Sequence, residues 1–253
     1  MKKTTIFLAF IASAIITVSC EKQNAVPQTK KHSNARLNAA AGVEVVPLDG
    51  SANGHTYKSL LKETWRWTLA QPMSKDPFAA TDGSFHANNQ PLGDVMILPS
   101  NSGGETERSI SIPANMPIFF PVLGGLAWEF INDGNCKGNK ISNENAIQHV
   151  ISKFGLRFNN GAKNLMATID GVPLVDDFSK YRVQTDPFVD YLHTDYNQYN
   201  SNGCIPLSQE AHGQADFYAL LVKLPVGQHT IHLAGDMTSV KFHSGITWHV
   251  NVL

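Results

Sequence analysis

Glu105-Thr-Glu-Arg-Ser-Ile-Ser-Ile-Pro-Ala-Asn-Met-Pro-Ile-Phe-Phe-Pro-Val-Leu-Gly-Gly125 reads as strand, tight turn, strand. Arg108, Ile110 and Ile112 alternate with Ser109 and Ser111, which gives one apolar and one polar face. Pro113 to Pro117 make the turn, because proline removes a ladder donor and fixes φ. Ile118 to Leu123 is a short apolar run bounded by Pro and Gly, the pattern of a strand buried on both faces. Pro121 inside that run predicts a bulge or a sheet edge.

The same grammar recurs outward from this stretch. Phe217 to Leu224 is a strongly apolar strand, and His229 to Leu233 returns after the turn Pro225-Val226-Gly227-Gln228. Ile246, Trp248, Val250 and Val252 alternate with Thr247, His249 and Asn251 in a final strand. Asp170-Gly171 joins the strands 165–169 and 172–175 as a β-turn. Shorter strands are expected at 43–47, 95–98, 181–184 and 188–192. Only two helices are expected. Tyr57 to Ala70 carries Leu60, Leu61, Thr64, Trp65, Thr68 and Leu69 on one stripe, and 142–154 is amphipathic behind Ser142. Asp76 to Gly93 reads as a turn-rich loop. The expectation is all-β: an antiparallel two-sheet sandwich, jelly-roll-like, with two short helices at its margins.

The chain has 253 residues, enough for one domain with a proper core. Its 20 basic and 21 acidic side chains nearly cancel, and no basic block marks a nucleic-acid surface. The N-terminus carries a different signal. Lys2-Lys3 is a positive n-region, Ile6 to Val18 an apolar h-region, and Thr17-Val18-Ser19-Cys20 closes it. This resembles the lipobox of bacterial lipoproteins, with Thr17 where that family usually has Leu. The resemblance implies cleavage after residue 19, lipidation of Cys20 and anchoring to a membrane. Residues 20–41 then read as a flexible polar tether and 42–253 as one β-sandwich domain. Export permits disulfides, and a bridge between Cys136 and Cys204, the two other cysteines, is expected, with two buried free thiols as the alternative.

A second resemblance rests on several motifs in order. They are Trp65-x-Trp67 with Pro72, Glu107-Arg108 with Ile112-Pro113-Ala114, and Ile118-Phe119-Phe120-Pro121. Ala167 through Pro173 and Leu224-Pro225-x-Gly227-x-His229-Thr230-Ile231 follow. Together they resemble a family of uncharacterised exported proteins of bacteria and archaea. The resemblance implies one exported domain and no particular chemistry.

No nucleophile elbow, phosphate-cradling loop or zinc-protease motif is present, so candidate residues come from local chemistry. Arg108 shares the face of Ile110 and Ile112. It therefore needs a partner such as Glu129 or Asp170, as a clamp between loops or as a ligand-binding group beside Glu107. Tyr191, Tyr196 and Tyr199 lie in or beside an Asn-rich loop, and Trp67 lies off the helix stripe. Flat aromatic faces among amides suit sugar rings. Asp82 opens a loop of hard oxygen ligands that could suit calcium, and His193 with Asp195 shares a strand face as a metal pair. Ordinary turn chemistry is the alternative for both. His229 and His232 fall on opposite strand faces and make a poor pair for one metal.

These observations favour a cell-envelope lipoprotein, on the periplasmic or cell-surface side, that binds a ligand without catalysis. Glycan is the ligand class, and an envelope protein is the other partner considered. A hydrolase assembled from dispersed acids and histidines is the alternative, and a structural subunit of an envelope assembly a third.

Overall fold

The computed structural model describes residues 42–130, 161–191 and 210–253, with backbone alone for 127–130. In chain order the first elements are β1 (Glu44–Val45), β2 (Ser51–Ala52), β3 (His55–Thr56), α1 (Tyr57–Ala70) and α2 (Gly83–Asn88). Then come β4 (Met96–Ile97), β5 (Gly104–Ile112), β6 (Ile118–Phe130), β7 (Ala162–Ile169) and β8 (Val172–Pro173). The last are β9 (Arg182–Gln184), β10 (Phe188–Tyr191), β11 (Glu210–Lys223), β12 (Gly227–Met237) and β13 (Phe242–Val252). Two sheets stack as a sandwich. In the six-stranded sheet β11 and β6 form the centre, with β4 on one flank and β1, β9 and β10 along the other. The five-stranded sheet runs β5-β13-β12-β7-β8. Pairing is antiparallel except at β5–β13 and β4–β6, which are parallel.

Alternation builds the core between the sheets. Ile118, Phe120, Val122, Leu220 and Val222 meet Ile110, Ile112, Ile231, Leu233, Ile246, Trp248 and Val250 there. The six-stranded sheet is buried on its other face too. Phe119, Phe217, Ala219 and Leu221 point that way and are covered by Tyr57, Leu60, Leu61 and Trp65 of α1. The apolar run 118–123 is therefore buried on both sides, and each such side chain adds about 1.5–3 kcal/mol of transfer free energy. Pro121 sits where the β6–β11 register slips, between Tyr218 and Ala219, so the bulge expected from proline is present.

The opening stretch corrects one expectation. β5 and β6 do not form a hairpin. β5 pairs with β13, whereas β6 pairs with β11 and β4, so residues 113–117 carry the chain from one sheet to the other. Asn115, at φ 63°, takes the left-handed position of that crossing. The Ala114 N–H donates to Leu253 O at 2.9 Å and ties the crossing to the end of β13. By contrast, the Asp170-Gly171 turn is as expected: φ values of 50° and 78° make a hairpin turn between β7 and β8.

The helix 57–70 forms over the expected residues. The Thr56 hydroxyl accepts the Ser59 N–H as its N-cap, and Pro72 lies just past its end. The loop 76–93 contains a helix that its composition hid. The Asp82 carboxylate accepts from Ser84 N and Phe85 N and starts α2. Gly83 lets α2 touch β5, because a Cβ there would overlap the Ser109 carbonyl oxygen. The expected helix at 142–154 lies outside the described residues, as do Cys20, Cys136 and Cys204.

Candidate functional site

The outer face of the five-stranded sheet collects the polar half of three alternating strands. Since Ile110, Ile112, Ile231, Leu233, Ile246, Trp248 and Val250 point into the core, their neighbours point out. Register then arranges the outward residues in rows. Ser111, Asn251 and Gln228 lie side by side across β5, β13 and β12, and Ser109, His249 and Thr230 form the next row. Glu107, Thr247 and His232 form a third row, followed by Glu105, Gly245 and Ala234. The first two rows line a groove of about 560 Å³ with His229, Ile110 and Val250. Among the described residues Ser109, Ser111, Gln228 and Asn251 have no side-chain hydrogen-bond partner, so their hydroxyls and amides are open to a ligand.

Acids and imidazoles frame the groove. The His249 ring meets Glu107 Oε1 through Nε2 and Thr230 Oγ1 through Nδ1, at 2.5 and 3.4 Å. On the other flank Asp170 accepts from Thr230 N at 2.8 Å and meets His229 Nδ1 at 2.9 Å, while His229 Nε2 faces Pro225 O. Partial burial pulls the Asp170 carboxyl upward, but the His229 and Thr230 hydrogen bonds outweigh it and hold it below the ordinary carboxylate range. Further along, His243 bridges two carboxylates: Nε2 meets Glu105 at 2.7 Å and Nδ1 meets Asp236 at 2.6 Å. A ring that donates on both sides favours the imidazolium, so Glu105 first and Asp236 second raise the His243 pKa. Gly245 makes that bridge possible, because a Cβ there would overlap the Glu105 carboxylate. Asn164 Nδ2 donates to Asp236, extending the chain of contacts from β5 across to β7.

The residues singled out from sequence fare differently. Glu107 is on this face and exposed, next to the groove. Arg108 points the other way, is 2% exposed, and binds no ligand from there. It donates to the carbonyl oxygens of Pro99, Ser100 and Phe78 and lies 5.3 Å from the Trp248 ring. It is the clamp between loops, held by carbonyls where a carboxylate such as Asp170 was expected. Burial lowers its pKa to about 10, with Asp76 and Asp82 opposing the shift, so the guanidinium stays charged near neutral pH. Burial and Arg108 together hold nearby His86 neutral, with a pKa down to about 4.

Trp67 is also corrected. It is buried, stacked on Phe85 at 5.9 Å, and presents no face to a sugar. Its off-stripe position is the seat of α2. Asp82 serves as a helix cap: one of its oxygens takes the Ser84 and Phe85 N–H groups and the Ser84 hydroxyl. Among the described residues no three His, Cys, Asp or Glu side chains converge as a metal site. Tyr191 is exposed at the end of β10, away from the groove. Tyr196, Tyr199, His193 and Asp195 lie outside the described residues.

Sequence reading missed Ser109, Ser111, Gln228, Thr230 and Asn251 as a set. Each was on a recognisable polar face, but only cross-strand register unites them. The fold and groove define a helix-backed two-sheet β-sandwich with an open polar sheet face. Comparison with protein-family models, curated proteins and solved structures found no match for this chain.

Proposed function

We propose that this chain is a non-enzymatic cell-envelope lipoprotein whose sandwich domain binds glycan on the outer face of its five-stranded sheet. The lipobox-like Thr17-Val18-Ser19-Cys20 supports the anchor. One observation carries the ligand class. Ser109, Ser111, Gln228 and Asn251, all without partners of their own, stand in adjacent rows on three neighbouring strands. With strands about 4.8 Å apart and outward residues about 6.8 Å apart along each, these four side chains, together with His249 and Thr230 of the same two rows, cover about 10 by 7 Å. That is a sugar-ring footprint presented with donors and acceptors of both kinds. The groove lining contains no Phe, Tyr or Trp ring, so recognition rests mainly on hydrogen bonds. At about −0.3 kcal/mol per heavy atom a single sugar then reaches only about millimolar affinity, and useful binding needs an oligomer or multivalent display.

The test is titration of the protein with neutral oligosaccharides, followed by amide chemical shifts. Shifts confined to β5, β12 and β13, weakened at least about tenfold in Asn251→Ala and Gln228→Ala, are expected. Failure of every neutral oligosaccharide to shift those strands overturns the reading.

A hydrolytic reading is favoured by one observation, the Thr230–His249–Glu107 sequence of hydroxyl, imidazole and carboxylate. Its 3.4 Å first contact is longer than the roughly 2.6–3.2 Å of a working base, so it ranks second. Ester or glycoside hydrolysis that disappears in Thr230→Ala would reverse the order.

A further inference from the structure

The groove is neutral where it offers hydrogen bonds and acidic where it ends, and that asymmetry deepens the glycan reading on which it rests. We infer that the preferred ligand is an amino-bearing, cationic glycan, seated with its ammonium beside Glu107.

The argument begins with what surrounds the groove. None of the lining residues is Lys or Arg. Carboxylates stand one contact away on two flanks: Glu107 through His249, and Asp170 through His229 and the Thr230 backbone. The two are not equivalent. Both Asp170 oxygens already accept hydrogen bonds from the protein. Glu107 spends one oxygen on His249, and its side chain is 71% exposed, so its other oxygen is open to an incoming donor. An ammonium carries three donors and no acceptor, and it fits a site whose free charged group is an acceptor.

The wider face is close to neutral, because His243 and Lys163 offset Glu105 and Asp236, so the acidic bias is local to the ends of the groove. Glu105 and Asp236 lie further along the sheet, with His243 between them. Lys163 on β7, beyond β12 from the groove, is in register with Asp236, and exposed Lys241 lies in the nearby β12–β13 turn. His249 and His232 are the remaining titratable groups of the face, and His229 lines the groove from its edge. A uronic acid or sulfated sugar would bring its anion toward Glu107 and Asp170, an arrangement that like charges oppose. Because these groups are exposed, the preference is modest and screened by salt.

The experiment compares glucosamine oligomers, N-acetylglucosamine oligomers and oligogalacturonate of equal length, titrated into the intact protein at about pH 6, where an amine is protonated. The glucosamine series is expected to bind about three- to tenfold more tightly than the acetylated one at low salt. The ratio shrinks with added salt, and the galacturonate series binds most weakly. In Glu107→Gln the ratio between the first two falls to about one. Equal affinity for the amino and acetylated series, or preference for the acidic one, overturns this inference and leaves glycan binding standing. Binding of none of the three overturns both.

Discussion

The hydroxyl of Tyr57 stands inside a β-ladder, between the backbone of Leu221 and that of Val46. It accepts from Leu221 N at 3.0 Å and donates to Val46 O at 2.7 Å, while Val46 N still donates to Leu221 O. The first residue of α1 thereby completes the pairing of the strand segment that follows β1. Burial pushes the Tyr57 phenol well above its usual range, against the Leu221 N–H, so the hydroxyl keeps its proton at any working pH. Tyr57→Phe keeps the ring but leaves a buried N–H and C=O without partners. A loss of about 2–4 kcal/mol is expected in urea unfolding, with an unchanged m-value. A loss below about 0.5 kcal/mol would mean that the ladder closes without the hydroxyl.

Arg108 offers a second test. Its guanidinium reaches three carbonyls of two separate loops and lies against Trp248, a geometry that a lysine ammonium cannot reproduce. Arg108→Lys is expected to cost about 2 kcal/mol and Arg108→Ala about 3 kcal/mol or more. Proteolysis should then cut first near 76–80 or 99–103. Retained stability in Arg108→Ala would show that the loops hold themselves.

Gly83 tests how α2 is seated. Gly83→Ala places a methyl group against the Ser109 carbonyl and lifts α2 from β5. A loss of about 1–3 kcal/mol is expected, with Trp67 fluorescence shifted to the red as Phe85 moves off its ring. An unshifted spectrum with full stability would contradict that packing.

The Glu105–His243–Asp236 bridge predicts a pH signature. The His243 pKa is raised above 6.5, so its contribution is complete below that pH and is lost as pH rises through the higher folded value. The Asp236 pKa is lowered below 3.8, chiefly by Asn164 and His243, so its contribution is present above that pH and is lost as pH falls through the lower folded value. The bridge is strongest between these limits. The melting-temperature gap between the protein and His243→Gln should peak at mildly acidic pH, at about 1–3 °C, and narrow by pH 9. A gap that grows toward alkaline pH would refute the assignment.

Local pattern revealed local structure. The 3.6-residue stripe of 57–70, the proline in 118–123 and the Asp170-Gly171 pair each act within a few residues, and each was legible. The partners of a strand are a different matter. Alternation in 104–112 shows that Ser109 and Ser111 share a face but not that β13 lies beside them. The proline turn suggested β6 as the neighbour instead. The groove needs residues from β5, β12 and β13, joined by contacts such as Glu107–His249 across 142 positions of sequence. Trp67 misled for a related reason: a second apolar side on α1 signalled another packing layer, and the six-residue α2 that fills it was hidden in a loop-like composition.

The sheet-to-sheet crossing at 113–117 has a consequence for assembly in time. β5 is made early, yet its sheet partner β13 comes last in the chain and lies between β5 and β12. A nascent chain therefore holds residues 104–112 without that partner until residues 242–252 emerge. Neither row of the groove exists before then. This sheet face is complete only once β13 is in place between β5 and β12, so a ligand bound across the three strands requires the assembled sheet.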